Sequence, residues 1–233
     1  MLIVGLQKLT LLDYPGQVAC TVFTGGCNFR CPFCHNAPLV LPERLSGAEN
    51  REAEVLDFLQ KRRGRLDAVA VTGGEPLLQA DLPDFLRRIR AMGYLIKLDT
   101  NGSFPDRLRS LAEEKLVDRV AMDIKNAPSL YSKSAGIADI SAVERSKDYL
   151  LGGAVDYEFR TTVVRGLHTA DSLRAAAEWI AGAKEYYLQQ YRRGGEQLAP
   201  DGLGAFNEAE MRELADAVRP IVPSVRLRGV DAA

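Results

Sequence analysis

Six short apolar runs recur along the chain, each ending in a polar or glycine-bearing tail and followed by an amphipathic stretch. This alternation limits the fold more than any other feature. The runs are VACTVF (18–23), AVAVT (68–72), YLIKLD (94–99), VDRVAMDI (117–124), YEFRTTVV (157–164) and EYYLQQY (185–191). Between them lie helical patterns such as AEVLDFLQKRR, AVERSKDYLL and DLPDFLRRIRAMG, where Asp81 is placed to cap the start and Gly93 to close the end. Ser103 can cap another helix, and Thr169 opens ADSLRAAAEWIAG. Such repeated βα units call for parallel strands with helices outside. Ahead of them, VGLQKLTLL and the turn Tyr14-Pro15-Gly16-Gln17 read as a hairpin, with Pro and Gly where a type II turn prefers them. Asn207 and Glu210 form a capping-box pattern before a last helix, and SVRLRGV offers a seventh strand.

The expected architecture is therefore α/β, a partial (β/α)6 barrel of TIM type with an N-terminal hairpin extension. Residues 1–233 are expected to form one domain, since barrels run to roughly 200–250 residues. Two stretches, Pro128 to Ile140 and Gly194 to Ala205, fit neither strand nor helix. Both follow strands at the same end, which makes them candidate active-site loops.

Composition excludes several classes. With 46% hydrophobic and 26% charged residues the chain can bury a full core. A formal net charge of −1 provides no field for nucleic acid or an anionic membrane, so neither is expected as a partner. Basic runs such as Lys61-Arg62-Arg63 and Arg87-Arg88 fall on expected helices and read as solvated faces. No apolar run has the length of a membrane span, and Gln7, Lys8 and Asp13 interrupt the start, unlike a signal peptide. A cytoplasmic protein is expected.

Three of the four cysteines crowd into GGCNFRCPFCHN, as Cys27-x3-Cys31-x2-Cys34. In a reducing compartment that cluster reads as metal-binding or catalytic rather than as a disulfide framework. Structural zinc wants four ligands. His35 directly follows Cys34, where chelating the same ion is awkward, Cys20 lies within an apolar strand, and His168 sits on a distant loop. Three good ligands without a good fourth suit a cubane cluster with one iron left open.

Polar signatures stand at the ends of the later strands, where active sites of α/β barrels assemble. The second run ends in Thr72-Gly73-Gly74-Glu75-Pro76, the third in Asp99-Thr100-Asn101-Gly102, the fourth in Met122-Asp123-Ile124-Lys125. Each has a bland reading: a tight turn at the two glycines, a helix cap or turn at the acids, a surface ion pair for Arg160. For Asn101-Gly102 the turn is the preferred reading. Two acids on neighbouring strand ends with Lys125 nearby exceed what a structural role needs. On the sixth run either Gln189 or Gln190 points into the barrel, because strand residues alternate faces.

The segment CNFRCPFC resembles the CxxxCxΦC motif of the radical S-adenosylmethionine superfamily, Phe33 standing at the aromatic position. That resemblance implies a 4Fe–4S cluster on Cys27, Cys31 and Cys34. Its open iron would bind S-adenosylmethionine, and the reduced cluster would release a 5′-deoxyadenosyl radical. By the same resemblance, Gly73, Gly74 and Glu75 match a motif that binds the amino group of S-adenosylmethionine. Asp99, Thr100, Met122 and Asp123 would hold a monovalent cation, Lys125 would face the methionine carboxylate, and Arg160 would line the cavity. No side chain is assigned as catalytic.

The set DYPG, CNFRCPFCHN, TGGEPLLQ, KLDTNG and AMDIK looks most like activating proteins of anaerobic ribonucleoside-triphosphate reductases, members of the glycyl-radical-enzyme activases. It implies a glycyl radical enzyme as partner and a flavodoxin or ferredoxin as electron donor. The loop from Arg192 to Phe206 is a candidate docking surface. The alternative is a radical enzyme acting on a small molecule or nucleoside precursor. The chain departs from formate-lyase activases in carrying Gln189-Gln190 where they place a histidine, and it has no second cysteine cluster.

Overall fold

One eight-stranded sheet in strict sequence order organises the computed structural model, which describes residues 1–194 and 196–230. The strands are β1 (Ile3–Thr10), β2 (Ala19–Thr24), β3 (Ala68–Gly73), β4 (Leu95–Thr100), β5 (Arg119–Asp123), β6 (Asp156–Val163), β7 (Tyr186–Gln190) and β8 (Val225–Arg228). Strand β1 runs antiparallel to β2, and every later pair is parallel. Strands β2 to β7 are the six expected from sequence, and SVRLRGV supplies the seventh parallel strand. No pairing joins β1 to β8 among the described residues, so the barrel stays open.

Helices α1 (Ala37–Val40), α2 (Pro42–Leu45) and α3 (Glu52–Arg62) connect β2 to β3, followed by α4 (Leu82–Ala91) and α5 (Pro105–Glu113). Then come α6 (Tyr131–Ala135), α7 (Ser141–Leu151), α8 (Ala170–Trp179) and α9 (Glu208–Val218). Each long helix buries one apolar stripe against the sheet, as Phe85, Leu86 and Ile89 do on α4. The outward strand residues meet them: Val69, Val71, Ile96, Leu98, Val120 and Phe159 all belong to this core. Cys20 lies there too, fully buried, its thiol pushed up to about 12 by that burial.

Alternation sends the other residues of each strand to the inner face. There Ala68 and Ala70 of β3 leave room, while Lys97 and Glu158 are fully buried. Glu158 accepts from Arg119 at 2.9 Å and from Arg228 at 3.0 Å, with Lys97 Nζ 3.9 Å away, so this buried carboxylate is matched by cations.

Local signals account for most boundaries. The hairpin turn closes with Gln17 N–H donating to Tyr14 O at 3.1 Å, and Gly16 takes the φ of +79° that a type II turn requires. Thr169 and Asn207 both form capping boxes, with Ser172 and Glu210 respectively. Two expected caps differ. Asp81 precedes α4 but its carboxylate is taken by the N-terminal ammonium of Met1. Ser103 stands one residue before the cap position and bonds Asn101 and Asn28 instead. Among the described residues no helix is long and apolar enough to cross a membrane.

Candidate active site

The loop after β2 carries the three clustered cysteines and is held from several sides. Arg30 N–H donates to Ala135 O at the end of α6 (2.9 Å), and Ala199 N–H donates to Pro32 O (3.0 Å). The two stretches without sequence assignment thus both clasp the cysteine loop: 128–140 through α6 and 194–205 through Ala199. The latter region also brings Tyr191 against His35, with ring centroids 5.4 Å apart, and Tyr191 O–H donates to Gln197 Oε1 at 2.5 Å. Residue 195 of the expected docking loop lies outside the described residues.

Backbone packing at the ends of β2 and β3 is the tightest feature. Gly74 N–H donates to Thr24 O at 2.9 Å and Glu75 N–H to Gly26 O at 2.8 Å. A Cβ on Gly74 would meet Gly26 O at 1.9 Å, and one on Gly73, whose φ is +122°, would meet Thr24 N at 2.3 Å. These glycines let two chain segments touch directly in front of Cys27, and their other side faces a cavity.

That cavity, about 230 Å³, is edged by Cys27, Cys31 and Cys34 with Phe33 and His35, and by Thr72, Gly73 and Gly74. Its far wall holds Asp99, Thr100, Asn101, Asp123, Lys125, Arg160, Thr162 and Gln189. Nearly all the residues singled out from sequence therefore meet in one place, at the C-terminal ends of the strands. Two do not. Glu75 is fully buried outside the cavity, accepting from Leu77 N–H (3.0 Å), Thr100 O–H (2.8 Å) and Asn101 N–H (2.7 Å). Burial outweighs these donors and pushes its carboxyl up to about 7. Met122 is fully buried beneath Gly102.

The far wall is a closed charge array. Asp123 and Arg160 are register partners across β5 and β6. Arg160 donates to Asp123 Oδ1 (3.1 Å) and to Asp99 Oδ2 (2.8 Å), Lys97 Nζ lies 2.5 Å from Asp99 Oδ1, and Lys125 Nζ 2.9 Å from Asp123 Oδ2. Burial alone would raise the carboxyl of Asp99, yet Arg160 and Lys97 hold it down to about 2. Burial likewise opposes the charge of Lys125, but Asp123 keeps its ammonium well above the usual range.

Burial pushes all three thiols of this loop up, Cys31 to about 11. Among the described residues no three His, Cys, Asp or Glu side chains close on a single-ion point. The three thiols edge one cavity, and in a 4Fe–4S cubane each thiolate would take a different iron. A buried Gln189 Oε1 without a hydrogen-bond partner lies in the cavity wall, an acceptor available to a ligand donor. Donor set, glycine-lined wall and orphan acceptor together fit a cluster with a polar organic ligand beside it.

Sequence reasoning left Gln189 and Gln190 undecided; Gln190 turns away and donates to Phe206 O at 2.7 Å. It missed Lys97, although the i, i+2 spacing from Asp99 puts both on one strand face. It also read Asn101 only as a turn residue. His168 is no ligand: fully enclosed, it accepts from Val164 N–H at 3.0 Å and bonds Lys125 O at 2.9 Å, anchoring the strand end that carries Lys125.

Comparison with known proteins agrees with this geometry. A family model described as the radical SAM superfamily matches residues 21–176, and the chain belongs to that superfamily. Membership implies a 4Fe–4S cluster and S-adenosylmethionine. Among curated proteins, the chain is 27% identical over 237 residues to a candidate glycyl-radical enzyme activating enzyme of Methanocaldococcus jannaschii, covering 99% of this chain and 97% of that one. It is 33% identical over 135 residues to the pyruvate formate-lyase-activating enzyme of Listeria monocytogenes, about half of either chain (52% and 51%). In fold it is similar to Streptococcus suis SuiB bound to S-adenosylmethionine, with TM-score 0.68 at 13% identity over 88% of this chain and 48% of that one.

Proposed function

We propose that this chain is an activating enzyme that places a glycyl radical on a partner, an anaerobic ribonucleoside-triphosphate reductase. The observation that carries the reading is the single cavity with three thiols on one wall and the Asp99–Arg160–Asp123–Lys125 array on the other. Similarity to an activating enzyme over nearly the whole of both chains supports the class of partner.

In this reading Cys27, Cys31 and Cys34 would hold the cluster, and the cavity they edge would take S-adenosylmethionine. Gly73 and Gly74 offer a wall without side chains, so a ligand amino group can approach the backbone. Lys125, 6.0 Å from the centre of the Phe33 ring and paired with Asp123, would face the methionine carboxylate. Glu75 acts from behind, through the loop ends it ties together. Gln189 Oε1 accepts from a ligand hydroxyl or amine. When bound, the reduced cluster and S-adenosylmethionine together supply a 5′-deoxyadenosyl radical able to take a hydrogen atom from a glycine Cα. The protein's own task is to orient the sulfonium and keep water away. An open sheet leaves a side through which a protein loop can reach the cavity. With one cluster, the electron comes from outside, from a flavodoxin or ferredoxin. A monovalent cation here would share Asp99 and Asp123 with three side-chain cations.

The test is to mix the reduced chain, S-adenosylmethionine and an anaerobic reductase without oxygen and record the electron paramagnetic resonance spectrum. A glycyl doublet on the reductase supports the reading. Turnover of a small molecule, with no doublet on any glycyl radical enzyme, would replace it with a small-molecule radical enzyme.

A further inference from the structure

We propose that Asn101 is a positioning residue that sets the reduction potential of the cluster by donating a side-chain N–H to the sulfur of Cys27. The inference rests on the reading of Cys27 as a cluster ligand. The two residues are 74 positions apart, on the loops after β4 and β2, and Asn101 Nδ2 lies 3.8 Å from Cys27 Sγ.

The orientation of the amide follows from its neighbours. Asn101 Oδ1 accepts from Ser103 N–H at 2.9 Å and from Ser103 O–H at 2.5 Å. Two donors on that side require the oxygen there. Ser103 Oγ itself accepts from Asn28 Nδ2 at 2.9 Å, which commits its own proton to Asn101. The amide nitrogen is left facing Asn28 Oδ1 at 3.0 Å and the Cys27 sulfur. Its two hydrogens have one acceptor each.

The residue carrying this donor is anchored. Asn101 is 6% exposed, its backbone N–H donates to the buried Glu75 carboxylate at 2.7 Å, and Gly102 beyond it takes φ +78° above Met122. A turn role is satisfied by Oδ1 and the backbone alone. An N–H held on a cysteine sulfur from a separate strand end adds something the turn does not need. Cys27 Sγ also receives Phe29 N–H at 3.4 Å, so two donors converge on this one sulfur.

Hydrogen bonds to cluster sulfurs stabilise the more negative, reduced state and raise the potential. Losing the Asn101 donor should therefore make the cluster harder to reduce. The step is one electron from an external donor, with no bond made or broken at Asn101.

The test is an anaerobic redox titration of the full reconstituted chain, followed by electron paramagnetic resonance. The wild type is compared with Asn101→Asp, Asn101→Leu and Asn28→Ala. The Asp variant keeps Oδ1 for Ser103, and so the turn, but has no N–H. The Leu variant removes the donor without adding charge. Asn28→Ala disturbs the same loop and leaves the donor in place. Both Asn101 variants should load iron and show about a tenfold shift of the reduction equilibrium towards the oxidised cluster, ~59 mV for one electron. Asn28→Ala should stay close to the wild type. If the Leu variant does not load, Asn101→Ser, uncharged and too short to reach the sulfur, takes its place, because the charge of the Asp variant lowers the potential by itself. Loaded Asn101 variants with the wild-type potential, or an equal shift in Asn28→Ala, would overturn the inference. A wild-type chain that forms no cluster would instead sink the ligand reading beneath it.

Discussion

The guanidinium of Arg160 reaches past β5 to bond the carboxylate of Asp99 on β4 at 2.8 Å. It also bonds Asp123 on the intervening strand, so one side chain ties three strand ends at the cavity floor. Asp99 is nearly buried and Asp123 half-buried, and without Arg160 each would keep one cation only, Lys97 for Asp99 and Lys125 for Asp123. Arg160→Met, which removes charged hydrogen bonds but leaves both lysines, should cost about 1.5–3 kcal/mol in urea denaturation at neutral pH. A loss below 1 kcal/mol would mean the array is solvated and the ion pairs incidental.

Acid should act on the same array. The carboxyl of Asp99 is depressed from 3.8 to about 2 in the folded chain. A depressed folded pKa contributes stability above the unfolded value that is lost as pH falls through the folded one. Asp99 should thus contribute about 2 kcal/mol above pH ~4 that disappears towards pH ~2. Comparing the acid limb of the wild type with that of Asp99→Asn checks the sign.

Glu75 works in the opposite sense. Burial raises its carboxyl from 4.5 to about 7, so its contribution is fullest below pH ~4.5 and falls as pH rises through ~7, by about 3 kcal/mol. His168, depressed by burial, shifts stability the other way near neutrality, so the bare pH curve is ambiguous. The difference between wild type and Glu75→Gln isolates the carboxyl. Gln places an N–H against Asn101 N–H and should cost about 1–3 kcal/mol near pH 5. That cost should shrink as pH rises; a cost that grows with pH refutes the assignment.

Gly74→Ala tests whether cluster loading depends on the contact between β2 and β3 ends. A Cβ 1.9 Å from Gly26 O cannot be accommodated without moving the residue before Cys27. It should cost at least about 3 kcal/mol and reduce iron loading. Gly182→Ala is the control: it also has positive φ, +88°, but meets nothing within 4 Å, and should cost only about 1–2 kcal/mol with loading intact.

Gln189→Leu removes a buried acceptor that has no protein partner, so stability should hold within about 0.5 kcal/mol. Binding of S-adenosylmethionine, measured by equilibrium dialysis, should weaken about tenfold, near 1.4 kcal/mol. Gln190→Leu should do the reverse, losing the Phe206 contact and sparing the ligand. Equal binding losses in both would deny Gln189 its place in the cavity.

Much of this site could be read in the sequence because each motif sits at a strand end, and parallel strands deliver their ends to one rim. That rule brings Cys27, Gly73, Asp99 and Asp123 to one cavity, while the roles expected of them rest on the cysteine spacing and the family resemblance. Asn101 and Lys97 were not legible, since their roles depend on which neighbour a side chain meets across the rim. Glu75 stands in a motif beside the ligand-facing glycines, but its alternation turns it into the wall. The short helices α1, α2 and α6 carry too few residues for a period to show, and their packing against the cysteine loop is tertiary. The caps misread at Asp81 and Ser103 went to stronger partners, an ammonium and an amide network.

The most direct test of the account is the electron paramagnetic resonance spectrum of the anaerobically reconstituted, reduced chain with and without S-adenosylmethionine. The prediction is a 4Fe–4S signal that changes shape when S-adenosylmethionine is added, with 5′-deoxyadenosine released. The signal should be lost in Cys27→Ala, Cys31→Ala and Cys34→Ala and kept in Cys20→Ser, because Cys20 is sealed in the core. Iron replaced by zinc at full occupancy, or a cluster signal indifferent to S-adenosylmethionine, would contradict it.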